Sequence, residues 1–329
     1  MIHTITIIGF GITGMLTLAI LQENITHNIC IIDPYFDGGA LLREYGDVLS
    51  NTPLQKTIDA LKRIKSNYVL PQEYASYDVN KITPLHVIAH IIKDFTKSYL
   101  LKTTIYETKV SSLQYDSGWK IQTEDGNTIE STIVFFCQGA KAKQLKCNIP
   151  SIPLHIALDK NALKKYVKKT EQVIVFGTSH SGTLVLENLE QLSIQTTAIH
   201  KNKYPFLFAK DGEYDGIKEE AERIASSILN NEYKNIKLLH VSIIDEIIKA
   251  TKQCDWIIYA IGFETLEIHN IDITKYDTKT GKILGQQNAY GFGIGYPSLA
   301  PDNLHVDVGV YSFVEHIQAQ IPDILKLLP

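Results

Sequence analysis

The chain is 329 residues long, more than one hydrophobic core of ordinary size accommodates, so about two domains are expected. Its 44% apolar and 21% charged residues supply enough large side chains to pack a core, which excludes a disordered chain. A net charge of -4 without a long basic run excludes the electrostatic footprint of a nucleic-acid binder.

Taken in chain order, residues 4–33 read as a strand, a glycine turn, a helix to about Glu23 and a second strand ending at Asp33, which is a βαβ unit. The stretch from Pro34 to about Thr57, rich in Gly, Asp and Asn, reads as an irregular functional loop too polar for a core. Thr83 followed by Pro84 predicts an N-cap and a first helical residue for a helix carrying Val87, Ile88, Ile91 and Phe95. From Thr104 to Phe136 the period falls to two, and turn signals at 116–118 and 124–127 predict three antiparallel strands. Lys141 to Pro153 has two prolines and little periodicity, as a domain boundary would. Gln172 to His200 then repeats the opening strand, turn, helix and strand. A polar helix over about Tyr214 to Leu229, strands at Ile236–His240 and 255–263, a Gly-rich run from Gly291 to Gly295, a strand near His305 and a last helix beginning between Val310 and Ser312 complete the reading.

Cys30, Cys137, Cys147 and Cys254 stand far apart, in neither metal-ligand nor CxxC spacing, so neither a metal nor a dithiol centre is expected. The N-terminus lacks a basic segment ahead of its apolar run and does not read as a signal peptide, and no stretch reaches the roughly 20 apolar residues of a membrane span. A cytosolic protein with neither a membrane nor a nucleic-acid partner is expected. Asn24-Ile25-Thr26 spells a glycosylation acceptor that means nothing without secretion.

The two glycine turns carry the functional signal. Gly9-Phe10-Gly11-Ile12-Thr13-Gly14 fits GxGxxG between a strand and a helix, where backbone amides and the positive end of the helix make an anion site. Asp33, nineteen residues past Gly14, stands where a carboxylate accepts ribose hydroxyls. The second turn, Gly177-Thr178-Ser179-His180-Ser181-Gly182, has serine at the middle position. Nineteen residues past Gly182 stands Lys201, followed by Lys203, so the sign is reversed. Cations there suit a 2′-phosphate, which predicts NADPH at the second turn; the bland alternative is a solvated turn. His180 is expected in the pocket floor rather than in catalysis, and His155, His305 and His316 show no ligand spacing.

These residues resemble the two-dinucleotide-binding flavoproteins, which hold FAD at the first turn and NAD(P)H at the second. The endings ValPhePheCysGlnGly139 and IleIleTyrAlaIleGly262, the latter including Ala260, resemble that family's two glycine-ended crossovers. Within it, Gly38-Gly39 followed by Leu49-Ser50-Asn51-Thr52 is similar to the flavin-containing monooxygenases, whose motif asparagine contacts flavin and nicotinamide. The tryptophan common after that family's GG is replaced by Ala40 and Leu41, and the fingerprint histidine position, near His155, lacks its aromatic partners. The length is nearer that of thioredoxin reductases, but their CxxC is absent.

The resemblance implies an α/β fold of two Rossmann-like, three-layer ββα dinucleotide-binding domains, the NAD(P)H domain (165–262) inserted in an FAD domain made of 1–155 and 263–329. It implies FAD contacts at the first turn, Asp33, Gly39, Leu41, Asn51, Thr52, Gly139 and Gly309, with NADPH at the second turn, Lys201, Lys203, Ala260 and Gly262. The activity it implies is oxygenation of an amine or thioether through a C4a-hydroperoxyflavin, with O2 and a small-molecule substrate as partners and Asn51 holding the oxygen adduct. From spacing alone Asn51 could equally bond its own backbone in a turn. The last helix is expected to point its positive end at the flavin or simply to dock on the sheet. An NADPH-dependent flavin reductase serving a quinone, ferredoxin or disulfide, and a non-catalytic flavin-binding sensor or scaffold, stay open, as does a homodimer.

Overall fold

The computed structural model describes residues 2–208, 216–300 and 306–328. It divides into two compact units, Met1–Lys141 with Thr265–Pro329, and Ala142–Glu264, which interrupts the first in sequence.

The first unit opens with β1 (Ile2–Ile8), α1 (Ile12–Asn24) and β2 (Ile29–Ile32), as the alternation of apolar residues requires. Then come α2 (Gly39–Tyr45), α3 (Leu54–Ile64), α4 (Leu85–Leu100), β3 (Thr104–Tyr106), β4 (Val110–Tyr115), β5 (Trp119–Thr123) and β6 (Thr128–Phe136). The chain passes through β7 (Ala140–Ala142) into the second unit, which holds β8 (Ser151–Ile152), α5 (Leu154–Leu158), α6 (Lys160–Tyr166), β9 (Gln172–Phe176), α7 (His180–Gln191), β10 (Gln195–His200), α8 (Glu220–Leu229), β11 (Ile236–His240), α9 (Ile244–Gln253) and β12 (Trp256–Tyr259). It leaves through β13 (Phe263–Thr265) and returns to the first unit as β14 (Ala289–Gly291), β15 (Ser298–Leu299), β16 (Val306–Asp307) and α10 (Val310–Leu325).

In the first unit the sheet order is β3-β2-β1-β6-β5-β4, with β14 also on β6. β1, β2, β3, β6 and β14 pair in parallel, while β4 and β5 run antiparallel as a meander. The two-residue period sends Ile5, Ile7, Ile29, Ile31, Ile133 and Phe135 into one core with the helices, and Ile8, Ile32, Val134 and Phe136 into another with Leu113, Trp119 and Ile121 of the meander. Helices cover one face of the parallel strands, and apolar residues of the meander share the cluster on the other. The second unit is a parallel sheet in the order β11-β10-β9-β12-β8. Val173 and Val175 face a core shared with α7 and α8, and Ile174 faces the opposite cluster, so both sheet faces are covered.

Several expectations need correction. The loop expected over 34–57 contains α2 and the start of α3, because Leu54, Ile58 and Leu61 recur at helical spacing and bury one face while the polar residues take the other. Pro84, not Thr83, caps α4; the Thr83 amide donates to Ser50 Oγ, and its own buried hydroxyl has no partner. β3 adds a strand parallel to β2 ahead of the three antiparallel ones. The helix expected from Tyr214 starts at Glu220, and Tyr214 and His305 lie outside the described residues. The second unit begins at Ala142, inside the 141–153 stretch read as a boundary and ahead of the 155 limit given to the first domain, because Ile152 pairs with Ile258 of β12 and Leu154 and Ala157 pack in the second unit's core.

Candidate functional site

The two glycine turns have the same backbone. Gly9 and Gly177 sit at φ +95 and +97, in the left-handed region that glycine adopts without strain. A Cβ on Gly9 would stand 2.5 Å from the Cys137 carbonyl oxygen, and one on Gly177 2.2 Å from that of Ala260. The third glycines are equally constrained, since a Cβ on Gly14 or Gly182 would stand 2.0 or 2.1 Å from the carbonyl oxygen of Gly9 or Gly177. The middle positions differ in sequence and not in shape: Gly11 has φ -73 and ψ -169, Ser179 φ -76 and ψ -171. That extended backbone suits any residue, so serine replaces glycine without strain. α1 and α7 both begin with no acidic residue in the first turn and no side-chain cap, which leaves their leading amides facing outward for an anion.

In the first unit the turn is tied to the loop that follows β2. Asp33 Oδ2 accepts the Phe10 amide at 2.8 Å, and its Oδ1 accepts the amides of Tyr35 at 2.8 Å and Phe36 at 2.9 Å. A carboxylate offers about four acceptor positions, so about one remains for a ribose hydroxyl. Gly38 and Gly39 follow at φ +114 and +75, and a Cβ on Gly39 would lie 2.8 Å from the Gly11 Cα. The structure thus brings Gly39 against the middle glycine of the turn. Asp37 fixes this segment by accepting the Gly39 amide at 2.9 Å and Arg43 Nη1, which is shared between its two carboxylate oxygens at 2.7 and 2.9 Å. Burial pushes the Asp37 carboxyl up, but the Arg43 guanidinium and the Gly39 amide outweigh it and hold the group below the usual carboxylate range. Arg43 also lies 4.7 Å from the centre of the exposed Tyr35 ring. Neither Asp37 nor Arg43 announces this in sequence, because the contact depends on two consecutive positive-φ glycines between them.

Ile12 and Thr13 are buried in the first turn of α1, and Gly293, at φ +88, comes so near that a Cβ there would be 2.1 Å from Thr13 Oγ1. Leu41 packs, half-buried, on the helix-side core. Asn51 is exposed at the tip of a pinned loop. The pin is Ser50, whose hydroxyl donates to the Thr52 carbonyl at 2.7 Å and accepts the Thr83 amide at 3.1 Å. Gly139 has φ +82 and open space where a Cβ would stand, and Gly309 caps α10.

In the second unit Ala260 packs its methyl 3.5 Å from where a Gly182 Cβ would stand, and Gly262, at φ +91, also faces open space. His180 and Ser181 open α7, and burial, aided by the charge of Lys218, lowers the His180 pKa. Lys201 and Lys203 are exposed on the loop after β10, and Lys203 Nζ lies 5.4 Å from the centre of the Tyr204 ring. Among the described residues no carboxylate pairs with either lysine. His200 and His240, which sequence reasoning passed over, hold that loop by its carbonyls. Only the register of β10 on β11 reveals them, and no local signal encodes it.

Burial pushes the Cys30 and Cys137 thiols up to about 12, against hydrogen bonds with Thr6 and Thr17. Among the described residues no cluster of His, Cys, Asp and Glu is able to hold a metal, and no helix is long and apolar enough to cross a membrane.

No protein-family model matches the chain. Among solved structures it superposes on a flavin-containing monooxygenase from Stenotrophomonas maltophilia with a TM-score of 0.71 at 13% identity, covering 99% of this chain and 98% of the other. The fold is that of the two-domain flavoproteins. The same flavoprotein fold relates the chain to a bacillithiol disulfide reductase from Bacillus cereus, with a TM-score of 0.65 at 11% identity over 99% of each chain. A thioredoxin reductase from T. acidophilum gives a TM-score of 0.56 at 14% identity, over 99% of this chain and 98% of that one. In sequence the chain is 21% identical to the monooxygenase AgnR1 of Paecilomyces divaricatus over 96% of each.

Proposed function

We propose that the chain is a cytosolic FAD-dependent NADPH oxidoreductase acting as a monooxygenase, with O2, on a small soft nucleophile such as an amine or thioether. One observation carries the reading: an identical turn backbone occurs twice, followed by a carboxylate in the first unit and by two lysines in the second. The residues present fit the cofactors. At the first turn the uncapped amides of α1 suit a pyrophosphate, and Gly11 carries no side chain to hold one off. Asp33 would take a ribose hydroxyl with its remaining acceptor position. At the second turn the α7 amides would take the NADPH pyrophosphate, and Lys201 and Lys203 its 2′-phosphate, which an acidic residue would repel.

FAD, when bound, supplies the capacity to take hydride from NADPH and pass electrons to oxygen. The protein's share is to orient both nucleotides, exclude water and offer donors at the reacting ring. Asn51 supports this role because its loop is held by Ser50, leaving a neutral amide to donate without introducing a base. The start of α10 would favour negative charge on the ring. Thiols held near 12 stay protonated at neutral pH, so Cys30 and Cys137 lend no support to disulfide exchange.

The deciding experiment gives FAD-loaded protein NADPH, a thioether and isotopically labelled O2. One labelled oxygen in the product per NADPH oxidised is the expected result. NADPH oxidation that requires an added quinone, ferredoxin or disulfide in the absence of oxygen identifies a reductase, and flavin left oxidised by NADPH identifies a non-catalytic flavin binder. Asn51→Ala should divert the output from product to hydrogen peroxide; unchanged coupling removes Asn51 from the site.

A further inference from the structure

The loop bearing Lys201 and Lys203 is built on two imidazoles from adjacent strands. His200 ends β10 and His240 ends β11, and the two are directly opposed in the parallel register. Their rings meet edge to face at 5.2 Å. His200 Nδ1 lies 2.9 Å from the Asn202 carbonyl oxygen, and a carbonyl only accepts, so that nitrogen carries the proton. His240 Nε2 lies 3.1 Å from the Lys201 carbonyl oxygen, so by the same argument it donates there, while its Nδ1 is engaged by Ser242, 2.7 Å from the hydroxyl and 3.2 Å from the amide. The Val241 amide closes the arrangement by donating to the His200 carbonyl at 2.8 Å.

Two consecutive carbonyls, those of Lys201 and Asn202, are therefore fixed by imidazole N–H groups, so the backbone that carries Lys201 and leads into Lys203 is held. An ammonium is a compact charge on a flexible stem, so two of them converge on one phosphate economically only where the backbone between them is already set. His240 is unsuited to hold the phosphate itself, because its Nε2–H is committed to the Lys201 carbonyl and its Nδ1 is occupied by Ser242.

We propose that His240 is a positioning residue for 2′-phosphate recognition, with His200 as its partner, and that together they set coenzyme choice without touching the coenzyme. This rests on the reading of Lys201 and Lys203 as the 2′-phosphate contacts. The loop is thereby a preorganised pair of ammonium groups selective for adenosine 2′-phosphates over plain adenosine nucleotides.

The test measures calorimetric binding of adenosine 2′,5′-bisphosphate and of 5′-AMP to the FAD-loaded protein. The wild type should favour the bisphosphate, and Lys201→Ala should erase that margin. His240→Leu, which removes the Nε2 donor, should weaken bisphosphate binding roughly tenfold and leave 5′-AMP unchanged. His240→Gln, whose amide nitrogen reaches the same place, should restore most of the loss. A wild type with no preference overturns the lysine reading and this proposal with it. A margin that disappears in Lys201→Ala but survives in His240→Leu overturns the positioning role alone. Equal loss for both nucleotides in His240→Leu without rescue by His240→Gln makes the residue merely structural and also overturns it.

Discussion

The two glycine turns are one backbone solved twice and finished in opposite ways. After the first, a carboxylate gathers three amides and knits the turn to the loop beyond β2. After the second, two imidazoles hold carbonyls and leave two ammonium groups outside. Glycine is obligatory only at the first and third positions, where a positive φ or a carbonyl oxygen leaves no place for a Cβ. The middle position is extended in both, so serine is tolerated. On the function proposed above, turn shape would bind the feature that dinucleotides share, and the strand-end loop would select among them.

The largest expected effect separates the turn's third glycine from its second. Gly14→Ala puts a methyl 2.0 Å from the Gly9 carbonyl oxygen, and Gly182→Ala makes the same clash with Gly177 at 2.1 Å. Each should cost on the order of 3 kcal/mol in urea unfolding, because rigid backbone on both sides cannot yield. Gly11→Ala meets nothing nearer than the Gly39 Cα at 3.7 Å, so stability should change by less than about 1 kcal/mol while flavin retention falls. A Gly11→Ala protein that keeps its flavin as tightly as wild type would detach the turn from the pyrophosphate.

Next in size is Asp33→Asn, which keeps the shape but exchanges an acceptor oxygen for a donor facing backbone amides. A loss of about 2 kcal/mol is expected, since a charge-assisted contact is broken and an amide is left unpaired. The matching change in the second unit, Lys201→Ala, should leave stability unaltered and raise the KM for NADPH roughly tenfold, with that for NADH unmoved. Equal effects on both coenzymes would cancel the contrast between the strand ends.

That contrast was legible in sequence because it is local: strand, glycines, helix and a terminal charge lie within about thirty residues, in periods that backbone geometry imposes. What stayed hidden depends on partners far along the chain. Asp33 reads as a ligand contact, yet its three amides come from a turn and a loop that only folding brings together. The loop expected over 34–57 hides two helices because its polar residues face outward while Leu54 and Ile58 are buried. His240 pairs with His200 across forty residues, and nothing near either one specifies the register. α9 is not read as a helix from sequence although Ile244, Ile247 and Ile248 recur at helical spacing; Ile247 packs on the cluster around Ile174 while Ile244 and Ile248 stay exposed.

The smallest effect compares a half-buried histidine of the second unit, His180, with a buried one of the first, His316. Burial, with the charge of Lys218, lowers the His180 pKa; burial lowers that of His316 against the Lys279 carbonyl and Asp277. In the unfolded chain both titrate near about 6.5, so below that pH the unfolded state binds more protons than the folded one. Their contribution to stability is therefore complete above the unfolded value and is lost as the pH falls from there through the folded value. The slope is bounded at about 1.4 kcal/mol per pH unit for each group. His180 also opens α7, where the helix dipole opposes an imidazolium, whereas His316 lies in mid-helix edge-on to Phe292. Urea unfolding at pH 7.5 and 5.5 should show reduced acid sensitivity in His180→Gln and in His316→Gln. If either variant loses as much stability on acidification as the wild type, that imidazole is not held neutral by its surroundings.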